Sequence, residues 1–249
     1  MRTTSANTTS AVTTPPRLTR RALLGQMLAL PLLPALTTLA ACTPGGQSSA
    51  QPGAQAPTAP APPALAALFD RPVATVRLEI GFGGGEHLIA EALAFPDTGF
   101  IGCEPYVNGM AKILTQIEAH DIGNIRLFAG DAAELVAWAP AQSLTRIDLI
   151  HPDPWPKRRH WKRRFVQDVT VAAMARVLKP HGEFRFVCDI DDYVGWTLAH
   201  LSRSSDFVWT AERADDWRLP WPDYTMTRYG AKAEREGRRA AYLRFRKVA

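Results

Sequence analysis

Cysteine is scarce in this chain. Cys42, Cys103 and Cys188 are its three cysteines in 249 residues, and no two of them form a CxxC pair. That spacing excludes a disulfide framework and a cysteine zinc site, and it leaves Cys103 and Cys188, each in an apolar run, as small buried thiols. Acidic residues and lysine are missing from positions 1–64, which hold four arginines. Those arginines carry +4 of the formal +5, so the remainder, with 25 bases against 24 acids, is nearly neutral. Attraction to a polyanion must therefore come from local clusters and not from overall charge. A glycine is also lacking where it would matter: Gly81 and Gly83 are followed by Glu86, where the dinucleotide fingerprint GxGxxG wants glycine. No internal repeat is evident.

The first 64 residues read apart from the rest. Thr, Ser, Ala and Pro dominate up to residue 19, and Arg20-Arg21 then precede an apolar stretch, 22–41, interrupted by Pro31 and Pro34. Those flanks and prolines fit the apolar region of a signal peptide better than a membrane span. The stretch ends Leu39-Ala40-Ala41-Cys42, which resembles the lipobox of bacterial lipoproteins, and the paired arginines resemble a twin-arginine signal. Residues 43–64, rich in Pro, Ala, Gln, Gly and Ser, cannot form a core and read as a linker. The chain thus divides into 1–42, signal-like or a spurious extension, 43–64, a disordered linker, and 65–249, the folded domain.

Within that domain strands alternate with helices. Val76–Gly81 reads as a strand broken by Gly81-Phe82-Gly83-Gly84-Gly85 before a helical pattern over Glu86–Phe95. Glycines at such a turn let a ligand approach the backbone where a Cβ would collide. A second strand, Gly99–Glu104, ends in an acid a little over twenty residues after Gly81, a position from which a carboxylate can take both ribose hydroxyls of a nucleoside. Helix Val107–His120 and strand Asn124–Phe128 lead to Gly130-Asp131. Asp131 is read equally as an acceptor for an adenine amino group and as the N-cap of a helix over Ala132–Trp138. Further on, Phe165–Leu178 has helical spacing stopped by Lys179-Pro180-His181-Gly182, Glu183–Cys188 is a strand, and a helix runs from Asp191 to about Ser202. Phe207–Ala211 is a short strand, Trp217–Pro222 a loop, and Arg239–Lys247 a closing strand. This order predicts an α/β fold with a doubly wound, mostly parallel seven-stranded sheet finished by a C-terminal antiparallel hairpin.

Between Ile150 and Phe165 lies the most distinctive stretch. His151-Pro152-Asp153-Pro154-Trp155-Pro156-Lys157 follows the apolar run Ile147–Ile150, so it opens at the carboxyl end of a strand, where open α/β sheets place ligands. The prolines restrict φ and hold Asp153 on a stiff turn, while six of the eight positions from Lys157 to Arg164 are Lys or Arg. A carboxylate beside so many cations suggests a polyanion held near a small polar target. Trp155 is read either as a stacking platform for a base or as packing under the loop.

Leu78-Glu79-Ile80-Gly81-Phe82-Gly83-Gly84-Gly85 resembles the first motif of Rossmann-like S-adenosylmethionine methyltransferases. Taken with Pro152-Asp153-Pro154-Trp155-Pro156-Lys157, Arg163-Arg164-Phe165, Asp189 and Thr227-Arg228-Tyr229, the order resembles the bacterial tRNA (guanine-N7)-methyltransferase family over residues 65–249. The resemblance implies S-adenosyl-L-methionine as cofactor, held by Glu79, Glu104 and Asp131 with the turn glycines Gly81, Gly83 and Gly85. It implies tRNA as partner and Asp153 as the acid of the catalytic site. Lys157, Arg158, Arg163, Arg164, Asp189, Thr227, Arg228 and Tyr229 would contact substrate. Two positions depart from the family pattern: Cys188 stands where threonine is usual before the second Asp, and Gly230 where glutamate usually follows the Thr-x-aromatic trio. Gly230 removes a carboxylate expected at the pocket, and the signal-like tract lies where the family's Arg-rich segment would be.

The function expected is methyl transfer to N7 of a guanine in the tRNA variable loop, in the cytoplasm, by a monomer or small oligomer needing neither metal nor a protein partner. Guanine N7 carries an exposed lone pair and no proton, so Asp153 is expected to accept from guanine N1–H and N2–H and not to abstract a proton. Two alternatives stay open: methylation of another base or an exocyclic amine, or an exported lipoprotein, anchored at Cys42, whose methyltransferase fold has lost catalysis.

Overall fold

The computed structural model describes residues 63–249; the signal-like tract with Cys42, and the linker up to residue 62, lie outside them. Apolar runs punctuated by glycine and proline become strands, most of them buried on both faces under helices, which is why they read as continuous apolar stretches instead of alternating ones. Strand β1 (Thr75–Ile80) leads to helix α1 (Glu86–Ala94), β2 (Thr98–Cys103) to α2 (Val107–Ala119), and β3 (Ile125–Phe128) to α3 (Ala132–Trp138). Then come β4 (Leu144–Ile150), α4 (Asp168–Val177), β5 (Leu178–Cys188) and α5 (Asp191–Arg203). The chain continues through β6 (Phe207–Trp209), two short helices, α6 (Asp215–Arg218) and α7 (Arg228–Arg235), and β7 (Ala241–Lys247). Turns of 3-10 helix cover Leu65–Leu68 and Arg158–Arg163. None of the described helices is long and apolar enough to cross a membrane.

The strands form one sheet in the order β3-β2-β1-β4-β5-β7-β6. Pairing is parallel from β3 through β5, and β7 runs antiparallel to both β5 and β6. The chain winds outward from β1 to β3, then crosses back to place β4 on the other side of β1. Loops leaving the carboxyl ends of β1 and β4 therefore diverge and open a crevice between them. Those two loops are the glycine turn and the proline-rich segment.

The expected doubly wound α/β sheet of seven strands is present, with its closing antiparallel pair. That pair is not joined by a tight turn: residues 210–240 intervene, and β7 inserts between β5 and β6. Three local expectations are corrected. Lys179-Pro180-His181-Gly182 is not a break between elements but a bulge within β5, where pairing shifts from Leu144–Leu178 to Arg146–Glu183 and His181 takes φ 62°. Trp217 and Arg218 close helix α6 and do not begin a loop. Thr227-Arg228-Tyr229, for which no element was expected, opens α7, with the Thr227 hydroxyl accepting from Gly230 N at 3.1 Å as its cap.

One apolar cluster fills the face beneath α3, α4 and α5, from Leu78 and Ile147 to Phe184, Phe186 and Leu243; a second packs β2 and β3 against α1 and α2 through Leu88, Phe100, Ile113 and Ile125. The second is tight enough to need a bare backbone. A Cβ on Gly102 would lie 2.5 Å from Leu88 Cδ2 and 2.9 Å from Phe82 Cδ1, both buried. Gly102→Ala is therefore expected to destabilise the fold by roughly 1–3 kcal/mol through overpacking, read as a lowered denaturant midpoint at unchanged slope. An unchanged midpoint would show that α1 can move off β2 freely.

Candidate active site

The crevice between the two loops measures about 920 Å³. Gly81, Gly83 and Gly85 hold φ of 69°, 57° and 86°, conformations that L side chains rarely adopt, so this alternation of glycines makes the turn possible. Gly83 N donates to Glu104 Oε2 at 2.8 Å, and Tyr106 N donates to Oε1 at 3.0 Å. The carboxylate is thus pinned at the end of β2 on the crevice wall, with lone pairs left on each oxygen. Asp131 is the N-cap of α3, as one of its two readings expected, with Oδ1 accepting from Ala133 N at 2.8 Å, and the residue also lines the crevice.

Of the other residues singled out in sequence, Gly81, Gly83, Asp153, Arg163, Arg164, Asp189 and Tyr229 line the crevice, while Glu79, Gly85, Lys157, Arg158, Thr227 and Arg228 do not. Glu79 lies beneath the turn, 4% exposed, with Oε2 2.7 Å from His87 Nδ1. Arg228 forms an ion pair with Glu86 at the start of α1, and the Tyr229 ring lies over Gly83, so the start of α7 is latched to the glycine turn. Arg164 is buried, unlike Lys157, Arg158, Arg159, Lys162 and Arg163 of the same run. Trp155 packs against that run: His160 meets its ring edge-on at 5.8 Å, and the Arg163 guanidinium sits 4.8 Å from its centroid.

Sequence reasoning did not assign His151, and Asp189 proves to be its partner. The His151 imidazole lines the crevice with Nδ1 3.1 Å from Asp189 Oδ1 and Nε2 3.4 Å from the Tyr224 hydroxyl. Burial holds the imidazole below its ordinary pKa even though Asp189 favours its charged form. For Asp189 burial works the other way, but donation from Arg238 Nε at 2.6 Å and from His151 keeps its carboxyl below the usual range. Gly230 explains the room: a Cβ there would stand 2.6 Å from Met226 Sδ and 3.0 Å from His151 Nε2. A signal was available, since His151 begins the proline-rich loop; its coupling to Asp189 needed the parallel neighbour β5. Burial pushes the thiols of Cys103 and Cys188 up to about 12, so both are unreactive.

Beneath the crevice lies a buried ionic cluster. Arg146 Nε donates to Asp148 Oδ2 at 2.8 Å and Arg146 pairs also with Glu91, which accepts from Arg77 Nη1 at 2.8 Å; Glu79 and His87 adjoin them. Burial opposes charge on His87, but the neighbouring carboxylates, Glu79 first, outweigh it and push the imidazole up to about 9.

A family model described as a putative methyltransferase matches residues 73–243. The chain is similar to the tRNA (guanine-N(7)-)-methyltransferase of Nitrobacter hamburgensis, 77% identical over 199 residues that make 80% of this chain and 76% of that protein. It is similar also to the enzyme of the same name from Rhodopseudomonas palustris, 79% identical over 76% of this chain and 71% of the relative. Among solved structures, a 16S rRNA methyltransferase, KamB, superimposes with a TM-score of 0.53 at 15% identity over 71% of this chain and 89% of its own. TrmN from Thermus thermophilus gives 0.51 at 12% identity over 71% of this chain and 45% of its own. At such identities these two speak for the fold alone.

Protonated His87 is a folded-state feature, so it links stability to pH. Its pKa is raised from 6.5 to about 9, and its contribution is full below about 6.5 and is lost as pH climbs through 9. The melting temperature of the unaltered protein should exceed that of His87→Asn most below pH 6.5, with the gap closing by about pH 9. A gap constant across this window would mean that His87 is neutral when buried.

Proposed function

The chain belongs to the family of tRNA (guanine-N(7)-)-methyltransferases, and we propose that it transfers a methyl group from S-adenosyl-L-methionine to N7 of a guanine in the tRNA variable loop, working in the cytoplasm. The observation that carries the site assignment is the meeting, at the β1/β4 switch point, of a glycine turn backed by Glu104 and Asp131 with a stiff loop that offers Asp153 beside exposed cations. The crevice suits an adenosyl ligand in size, since small-molecule sites run to about 300–1,000 Å³. Its donor set fits too: Glu104 has free lone pairs for two ribose hydroxyls, Asp131 can accept from the adenine amino group, and the turn at Gly81 and Gly83 admits the ligand to the backbone. Glu79, turned toward His87, supports this turn from beneath. The cofactor, when bound, supplies an electrophilic methyl group on a sulfonium centre.

The protein's part is then positioning. Guanine N7 presents its lone pair without first losing a proton, so no general base is obligatory, and holding two reactants in line can contribute about 7–11 kcal/mol of barrier lowering. Asp153, exposed at the crevice, accepts from guanine N1–H and N2–H, fixing the ring so that N7 faces the sulfonium. Carbonyl groups and hydroxyls could accept from the same edge, but a carboxylate accepts twice and also stabilises the positive charge that the ring acquires. Lys157, Arg158, Arg159, Lys162 and Arg163 are exposed and hold phosphates, with Tyr229 and Arg228 closing the cofactor side and Asp189 acting through His151.

The full chain, given unmodified tRNA and labelled S-adenosylmethionine, should form 7-methylguanosine in the tRNA. Asp153→Asn keeps the turn but loses a charged acceptor, and kcat/KM should fall about 10- to 100-fold. Wild-type turnover by Asp153→Asn would remove this role from Asp153; label in a different nucleoside would favour methylation of another base.

A further inference from the structure

Arg164 ends a basic run whose other cations face solvent, yet it is 2% exposed and is the largest fully buried side chain among the described residues. Three rings enclose its guanidinium, Trp161 and Trp196 with centroids at 5.1 Å and Tyr193 at 4.9 Å. Two of its three nitrogens are used as well: Nε donates to the Pro154 carbonyl at 2.9 Å and Nη2 pairs with Asp192 of α5, while the buried Nη1 has no hydrogen-bond partner. Burying an isolated cation is costly, and it persists here because ring faces and a carboxylate replace water. Although Arg164 forms part of the crevice wall, its side chain is 0% exposed, so the guanidinium does not reach a phosphate at the surface as its exposed neighbours can.

What it does hold is the Pro154–Trp155 peptide, the second after Asp153. Asp153 lies between His151 and Trp155, two non-glycine residues at φ 47° and 44°. Such conformations persist only where the surroundings over-determine them. On one side the His151–Asp189 pair supplies that constraint. On the other, the Pro154 carbonyl belongs to the peptide that enters Trp155, and Arg164 fixes its direction. The prolines restrict φ, and the bond from Arg164 removes the freedom in ψ that they leave.

We infer that Arg164 is a positioning residue for the transfer reaction, setting the Pro154–Trp155 peptide so that Asp153 meets the guanine, and that it makes no contact with RNA. This rests on the function proposed above. A phosphate ligand and a positioning strut differ in what their loss changes: the first weakens tRNA binding and its dependence on salt, the second slows turnover of bound substrate.

The test measures kcat and KM for unmodified tRNA at several salt concentrations with the full chain, per cofactor-binding site. Arg164→Lys keeps the charge and loses the fork; kcat should fall about tenfold or more, the scale of one well-placed hydrogen bond to a charged group, with tRNA KM within about twofold and an unchanged salt slope. Lys162→Ala, at an exposed cation of the same run, should instead raise KM and reduce the slope by about one. Should Arg164→Lys fail to fold, Asp192→Asn serves: Asp192 is 56% exposed, and its loss should lower kcat by a smaller factor at constant KM. Arg164→Lys behaving like Lys162→Ala would overturn the inference, as would wild-type kcat in both Arg164→Lys and Asp192→Asn. Absence of 7-methylguanosine with the unaltered protein would overturn the functional reading itself, and is seen before any variant is compared.

Discussion

Parallel pairing of β1 with β4, in the register Arg77–Arg146 through Ile80–Leu149, is the constraint on which the rest of the molecule depends. It brings two loops far apart in sequence, the glycine turn after Ile80 and the proline-rich segment after Ile150, to the same end of the sheet. A slip of one residue would turn every β4 side chain to the opposite face, and it would carry Arg146 away from Glu91. The buried ionic cluster therefore reports the register as well as lying within it.

That cluster is weak as a source of net stability, because removing ions from water costs about as much as their pairing returns. It does make alternatives expensive. Glu79, His87, Glu91, Arg146 and Asp148 pair with one another in this arrangement, with only His87 Nε2 and Asp148 Oδ1 left without a hydrogen bond. A misregistered sheet would separate Arg146 from Glu91 and leave further charge buried without a partner. The crevice above inherits this rigidity: β1 ends at Ile80 directly over the cluster, and the turn with its three left-handed glycines starts at the next residue. The opposite loop is held differently, through a hydrogen-bonded His–Asp pair at one end and a caged arginine at the other.

Much of this was legible in the sequence, and for physical reasons. Strands buried on both faces leave unbroken apolar runs, glycine and proline mark where they stop, and Gly81 to Gly85 and Pro152 to Pro156 announced both loops. Illegible were matters settled by neighbours distant in the chain. Lys179-Pro180-His181-Gly182 has the composition of a terminator, and only β4 alongside makes it a bulge in a continuing strand. Nothing in the basic run distinguishes Arg164 from Arg163; the difference arises because Tyr193 and Trp196 of α5 lie under one and solvent over the other. Glu79 sits in the first motif as a ligand would, but its carboxylate turns to His87, eight residues on, because α1 folds back over β1. Gly230 read as the loss of a carboxylate, and the sequence did not show that its bare backbone also leaves room for Met226 and His151.

The sheet's strand order has a bearing on biosynthesis. Strand β6 is made before β7 but lies outside it, and among the described residues it pairs with no other strand. As the chain emerges from the ribosome, the long flank of β5 stays unpaired, and Phe207–Trp209 has nowhere to dock, until residues 241–247 arrive and wedge between them. A nascent chain paused before that point exposes an open apolar sheet edge, the kind of surface that recruits chaperones or aggregates. Strand β7 thus works as a keystone, because β5 and β6 become parts of one sheet only through it.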